Sequence, residues 1–146
     1  MKAEMTIGIT PGYGNVPVQL QSSFEEAAMT VARAWDKAGE EVGTGYVSAL
    51  IVPGLVQYRS MWGCPPGGEV VCMVTCTSNP TFDTDGAAWR RRVIEIVRRI
   101  KLALKQSTVA ISFSDGTHAD MRGGKISIRT EGQDGIQTLD EQTSLL

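Results

Sequence analysis

The chain has 146 residues, 42% of them hydrophobic and 21% charged, which is enough to bury one core and too apolar for wholesale disorder. A net charge of −2 argues against a protein that coats nucleic acid through bulk electrostatics. No apolar run approaches the roughly 20 residues that span a bilayer, and the opening Met1-Lys2-Ala3-Glu4-Met5-Thr6 lacks the apolar stretch of a secretory signal. A soluble, cytoplasmic domain is expected.

Met5, Ile7 and Ile9 alternate with Thr6, Gly8 and Thr10, which predicts a first strand with one buried face. The turn-rich Pro11-Gly12-Tyr13-Gly14-Asn15-Val16-Pro17 follows. A loop of this kind between strand and helix can hold an anion in a backbone nest, so Tyr13, Gly14 and Asn15 are candidate ligand contacts. It has neither a GxGxxG pattern nor a P-loop lysine, and a purely structural turn or Ω-loop competes with that reading.

Ser23 with Glu26 three residues later reads as a capping box. Phe24, Ala28, Val31, Trp35 and Ala38 form one stripe of the helix it opens, which is expected to end near Gly39. Tyr46 to Val52 is a strong strand signal. Pro53-Gly54 interrupts it before Leu55 to Tyr58, which predicts a bulge or an edge position. The loop Trp62 to Gly68 joins it to a strand at Glu69–Thr77, and the two are expected to pair as a hairpin. Trp62 joins Tyr13 and Asn15 as a candidate rim of a pocket.

A second helix is expected from a cap at Asp83 or Asp85 to about Gln106. Trp89, Val93, Ile96, Val97, Ile100, Ala103 and Leu104 fall on one stripe. Arg90, Arg91, Arg92, Arg98, Arg99, Lys101 and Lys105 make the helix strongly basic against Asp85 and Glu95. A solvated face explains such a charge run, but Ile94 and Leu102 lie among the cations and suggest a contact surface, with Arg91 and Arg98 as arms for an anionic ligand. No aromatic interleaves these cations, which disfavours nucleic acid. Val109, Ile111 and Phe113 then alternate as a strand, and the turn dipeptides Asp115-Gly116 and Gly123-Gly124 punctuate a hairpin ending at Lys125–Arg129. His118, the single histidine, shares a strand face with Asp120. That pair can do acid–base work, although a plain polar hairpin face is the favoured account of it.

Cys64, Cys72 and Cys76 lack metal-ligand spacing. Cys72 and Cys76 would stand about 13 Å apart on one strand, too far to bridge. Reduced thiols, no metal and no cofactor are expected.

The order βαββαβ is compatible with a ferredoxin-like α+β sandwich carrying a C-terminal β-hairpin extension. Residues 1–130 read as one domain and 131–146 as a flexible acidic tail. The third strand and its neighbour are apolar on both faces, so Leu50, Val52, Val71 and Met73 are expected to meet the chain's own hairpin or a second subunit. Together these features point to a non-enzymatic, homo-oligomeric binding protein for a small anionic, nucleotide-like ligand. A cofactor-independent enzyme on a dimeric α+β scaffold and a protein-interaction module acting as inhibitor or adaptor are the alternatives.

Overall fold

The computed structural model describes residues 1–11, 16–43 and 45–146. These form a mixed α+β architecture with two α-helices and a seven-stranded antiparallel sheet. In chain order the elements are β1 (Lys2–Gly8), α1 (Phe24–Val42), β2 (Ala49–Val56), β3 (Glu69–Thr77), α2 (Gly86–Ala103), β4 (Thr108–Phe113), β5 (Thr117–Arg122), β6 (Lys125–Thr130) and β7 (Gln137–Asp140). The sheet order is β2-β3-β1-β4-β5-β6-β7.

Alternation dictates which face is buried. Ala3, Met5 and Ile7 of β1, Cys72, Val74 and Cys76 of β3, and Val109, Ile111 and Phe113 of β4 join Val31, Trp35, Trp89, Val93 and Ile96 of the helices in one core. α1 lies against β2 and β3, α2 against β4, and the helices pack on each other. Trp35 is fixed at its polar end, where Nε1 donates to the Val47 carbonyl at 2.7 Å. The edge of the Trp89 ring meets the face of Phe113, or the reverse, in a T-shaped pair with centroids 6.2 Å apart.

The helix ends follow from local chemistry. Ser23 Oγ accepts from the Glu26 amide at 3.1 Å, and Asp85 Oδ1 caps α2 by accepting from Ala88. α1 passes its expected end at Gly39 and stops at Gly43, whose φ of 78° reverses the chain. Gly39 is inside the helix because a side chain there would collide with the Tyr46 ring.

Pro53 sits in register opposite Cys72 without a bulge, on the edge strand β2, where its missing N–H leaves no ladder bond unmade. The hairpin β5–β6 continues the sheet beyond β4 and therefore does not fold back over the open face. That face carries Leu50 (66% exposed), Val52 and Met73 (53% exposed), whereas Val71 beside them is buried.

Residues 131–146, expected as a flexible tail, are ordered by two apolar anchors and a set of buried charges. β7 pairs with β6, and Leu139 and Leu145 pack against the core. Glu141, almost wholly buried, pairs with buried Lys101. Ser144 Oγ and the Leu145 amide donate to Glu95 at 2.9 and 3.1 Å.

Candidate functional site

The C-terminal ends of β1 and β2 and the N-terminal ends of β3 and β4 meet at one end of the sheet. There a cleft of about 170 Å³ is bounded by Gly8, Val56, Tyr58, Glu69, Val71 and Gln106. Its polar centre is Glu69, whose Oε1 accepts from Tyr58 Oη at 3.0 Å. Tyr58 Oη also lies 3.4 Å from the Gly63 carbonyl. Gly8 makes this convergence possible, since a Cβ there would run into both Gln106 Oε1 and Glu69 Oε2. Gln106 in turn donates to the carbonyls of Thr10 (2.9 Å) and Leu104 (3.1 Å).

The loop after β1 is tied to this end of the sheet on both of its flanks. Gln106 holds Thr10. On the other side Gln21 Nε2 donates to the Val16 and Gly68 carbonyls, while its Oε1 accepts from the Val70 amide at 2.8 Å. The candidate residues Tyr13, Gly14 and Asn15 lie outside the described residues.

The remaining candidates do not converge on one place. Trp62 closes a short 3-10 turn on the loop that follows Tyr58; it is 65% exposed, with the Arg59 guanidinium 5.8 Å from its ring centre. Arg91 is exposed on α2 and Ile94 is buried below it, and both line a larger hollow of about 500 Å³ toward β6 and β7. Leu102 is half-buried. Arg98 faces inward: its Nε and Nη2 donate to Glu95 at 2.8 and 2.7 Å, and its Nη1 donates to the Glu141 carbonyl. Its fork therefore serves the chain's own carboxylate. His118 lies on β5, with Nδ1 3.4 Å from Ser112 Oγ and Nε2 3.3 Å from Glu131 Oε1.

Burial without a nearby cation raises the Cys72 thiol and pushes that of Cys76 up to about 12, so both are poor nucleophiles. Among the described residues no group of His, Cys, Asp and Glu is arranged to hold a metal ion, and no helix is long and apolar enough to cross a membrane.

Glu69, Tyr58, Gln106 and Gly8 were not singled out from sequence. A glycine within an alternating strand was the available sign, because it marks a place where another group approaches the backbone.

A family model described as SAM lyase matches residues 1–117. Among solved structures, a phage SAM lyase in complex with S-methyl-5'-thioadenosine aligns over 95% of this chain and 88% of its own, at 13% identity and a TM-score of 0.50. A phage SAM lyase in its apo state aligns over 95% and 87%, at 12% identity and a TM-score of 0.45. No curated protein matches the sequence.

The family match overturns the expected non-enzymatic role, and with it the leaning away from catalysis. The absence of a catalytic motif was weak ground for that expectation, because function resides in a site assembled in space rather than in a local pattern. The matched span holds every residue bounding the Glu69 cleft, from Thr6 to Thr108, and also those of two further hollows, one beside Phe24 and Val70 and one beside Met73 and Ala110. The 500 Å³ hollow draws Ile128, Leu139 and Leu145 from outside it, and the hollow beside His118 lies wholly outside it.

Proposed function

The chain belongs to the SAM lyase family, and from that membership we propose that it cleaves S-adenosylmethionine to S-methyl-5'-thioadenosine in the Glu69 cleft. The observation that supports this placement is the convergence of Glu69, Tyr58 and Gln106 beside Gly8, where Glu69 accepts from Tyr58 Oη at 3.0 Å. Release of S-methyl-5'-thioadenosine breaks the bond from the sulfonium sulfur to Cγ of the amino-acid arm, and the bonding pair goes to sulfur. A lyase adds no water, so the substrate's own α-carboxylate closes on Cγ and leaves homoserine lactone. Sulfonium and carboxylate neutralise each other along this path. A cleft walled by Val56 and Val71 therefore favours the reaction by excluding water, which holds the two charges apart.

In this reading Glu69 receives the α-ammonium group and Tyr58 orients Glu69, so that the α-carboxylate faces Cγ. Exposed Trp62 offers a stacking surface for the adenine ring. Incubating the protein with S-adenosylmethionine should yield S-methyl-5'-thioadenosine and homoserine lactone by mass spectrometry. Recovery of S-adenosylhomocysteine, or of unchanged substrate at high enzyme concentration, would count against the assignment.

A cleft of about 170 Å³ is smaller than the usual ~300–1,000 Å³ of small-molecule sites. Its wall continues outward, since Val56, Val52 and Leu50 share one face of β2 and Val71 and Met73 the matching face of β3, with Val52 opposite Met73. We therefore assign this apolar strip, exposed at Leu50, Val52, Val56 and Met73, to self-association, in which a second copy completes the cleft. Met73→Asp, placed on an exposed position, should reduce the particle size seen by light scattering and lower cleavage together. A variant with the size and rate of the parent would remove the interface. The first four strands, in the order β2-β3-β1-β4, support a ferredoxin-like description of this part, and free thiols at Cys64, Cys72 and Cys76 suit a cytoplasmic setting.

A further inference from the structure

The 500 Å³ hollow between α2 and the β6–β7 end of the sheet has a composition that the proposed reaction does not use. Ile94, Ile128, Leu139 and Leu145 supply apolar wall, and Arg90 and Arg91 stand at one side. No Asp or Glu side chain lines it. Arg90 is engaged by Asp115 at 2.6 Å. Arg91, exposed, forms no ion pair among the described residues. The volume falls within the ~300–1,000 Å³ typical of sites for small organic molecules.

The geometry points to a second binding site, separate from the Glu69 cleft, for a small amphipathic carboxylate: an apolar ring or short chain seated against Ile94, Leu139 and Leu145, with its anionic head on Arg91. Charge complementarity selects the ligand class. A neutral apolar molecule leaves Arg91 unused, while a cation meets the unpaired Arg91 and no carboxylate among the lining residues. A guanidinium can bond a carboxylate through two parallel N–H donors, which adds directional specificity to the charge attraction. Three of the apolar wall residues lie beyond position 117, so the site joins α2, inside the family match, to a segment outside it.

The test is calorimetric titration of the full chain with 2-naphthoate, and with 2-naphthamide as its uncharged counterpart. One naphthoate site is expected, weakened about tenfold by Arg91→Gln, with the amide binding more weakly and indifferent to that change. Ala87→Trp, at an exposed position bordering the hollow, should block both probes by filling the space. Equal affinity for acid and amide, or no loss in Arg91→Gln, would overturn the assignment. Displacement of naphthoate by excess S-methyl-5'-thioadenosine would overturn it as well, by placing the probe in the catalytic cleft. Failure of the lyase reading would leave these outcomes unchanged, because none of them depends on turnover.

Discussion

Glu69→Gln should lower kcat/KM for S-adenosylmethionine cleavage by roughly a hundredfold or more while leaving the melting temperature nearly unchanged. The change keeps the shape of the side chain and the acceptor for Tyr58 Oη, now 3.0 Å from Glu69, but removes the charge that is proposed to hold the substrate's ammonium group. A neutral amide leaves that ammonium free to rotate, and the α-carboxylate then spends less time aligned with Cγ. Tyr58→Phe should have a smaller effect, felt through the orientation of Glu69. Steady-state rates with S-methyl-5'-thioadenosine as the monitored product decide the matter. A folded Glu69→Gln protein with parental kcat/KM would show that the cleft at the sheet end is not where the reaction occurs.

The second large effect is on stability. Glu95 is fully buried at the centre of an ionic knot: it accepts from Arg98, from Arg99 Nε at 3.0 Å, from Ser144 Oγ and from the Leu145 amide. Burial alone would raise its pKa. The Arg98 guanidinium, the Leu145 amide and the Ser144 hydroxyl outweigh that and hold it down at about 2. Glu95→Ala leaves Arg98 buried without its partner and should cost about 3–5 kcal/mol, read as a lowered urea midpoint at neutral pH. The folded-state value lies below the ordinary 4.5, so this contribution is present above about pH 4.5. It is lost as the pH falls toward 2, amounting to roughly 3 kcal/mol for a shift of this size. Glu95→Gln should flatten the acid limb of stability against pH. An unaltered acid limb in that variant would mean that other carboxylates govern acid unfolding.

The regular elements were largely legible, because two periodicities and a few caps carry them. Trp89, Val93, Ile96 and Ile100 mark the inner stripe of α2, and Asp85 its start. What could not be read was which carboxylate faces the cleft. Glu69 is the first residue of an apolar strand, and in one dimension it resembles any charged strand end. Its meaning comes from Gly8, 61 positions earlier but next to it in space, a proximity that local pattern does not encode. The basic helix misled for a related reason. A positive run predicts a solvated or ligand-facing surface, yet Arg98 and Lys101 are both buried, neutralised by Glu95 and by Glu141, which lies far away in sequence. The apparent tail failed as a flexible segment on the same ground: its Glu141 is the counter-charge of Lys101 on α2.

The knot also bears on the order in which the chain can mature during synthesis. α2 is complete once residue 103 has been made, but two of the donors to Glu95 and the counter-ion of Lys101 come from residues 141–145. Until that segment leaves the ribosome, a nascent α2 that docks on the sheet must keep Lys101 unpaired and Glu95 only partly satisfied. Both costs work against early docking. The Glu69 cleft, whose Gln106 hangs from the end of α2, should therefore acquire its final form only after residue 145 has been made.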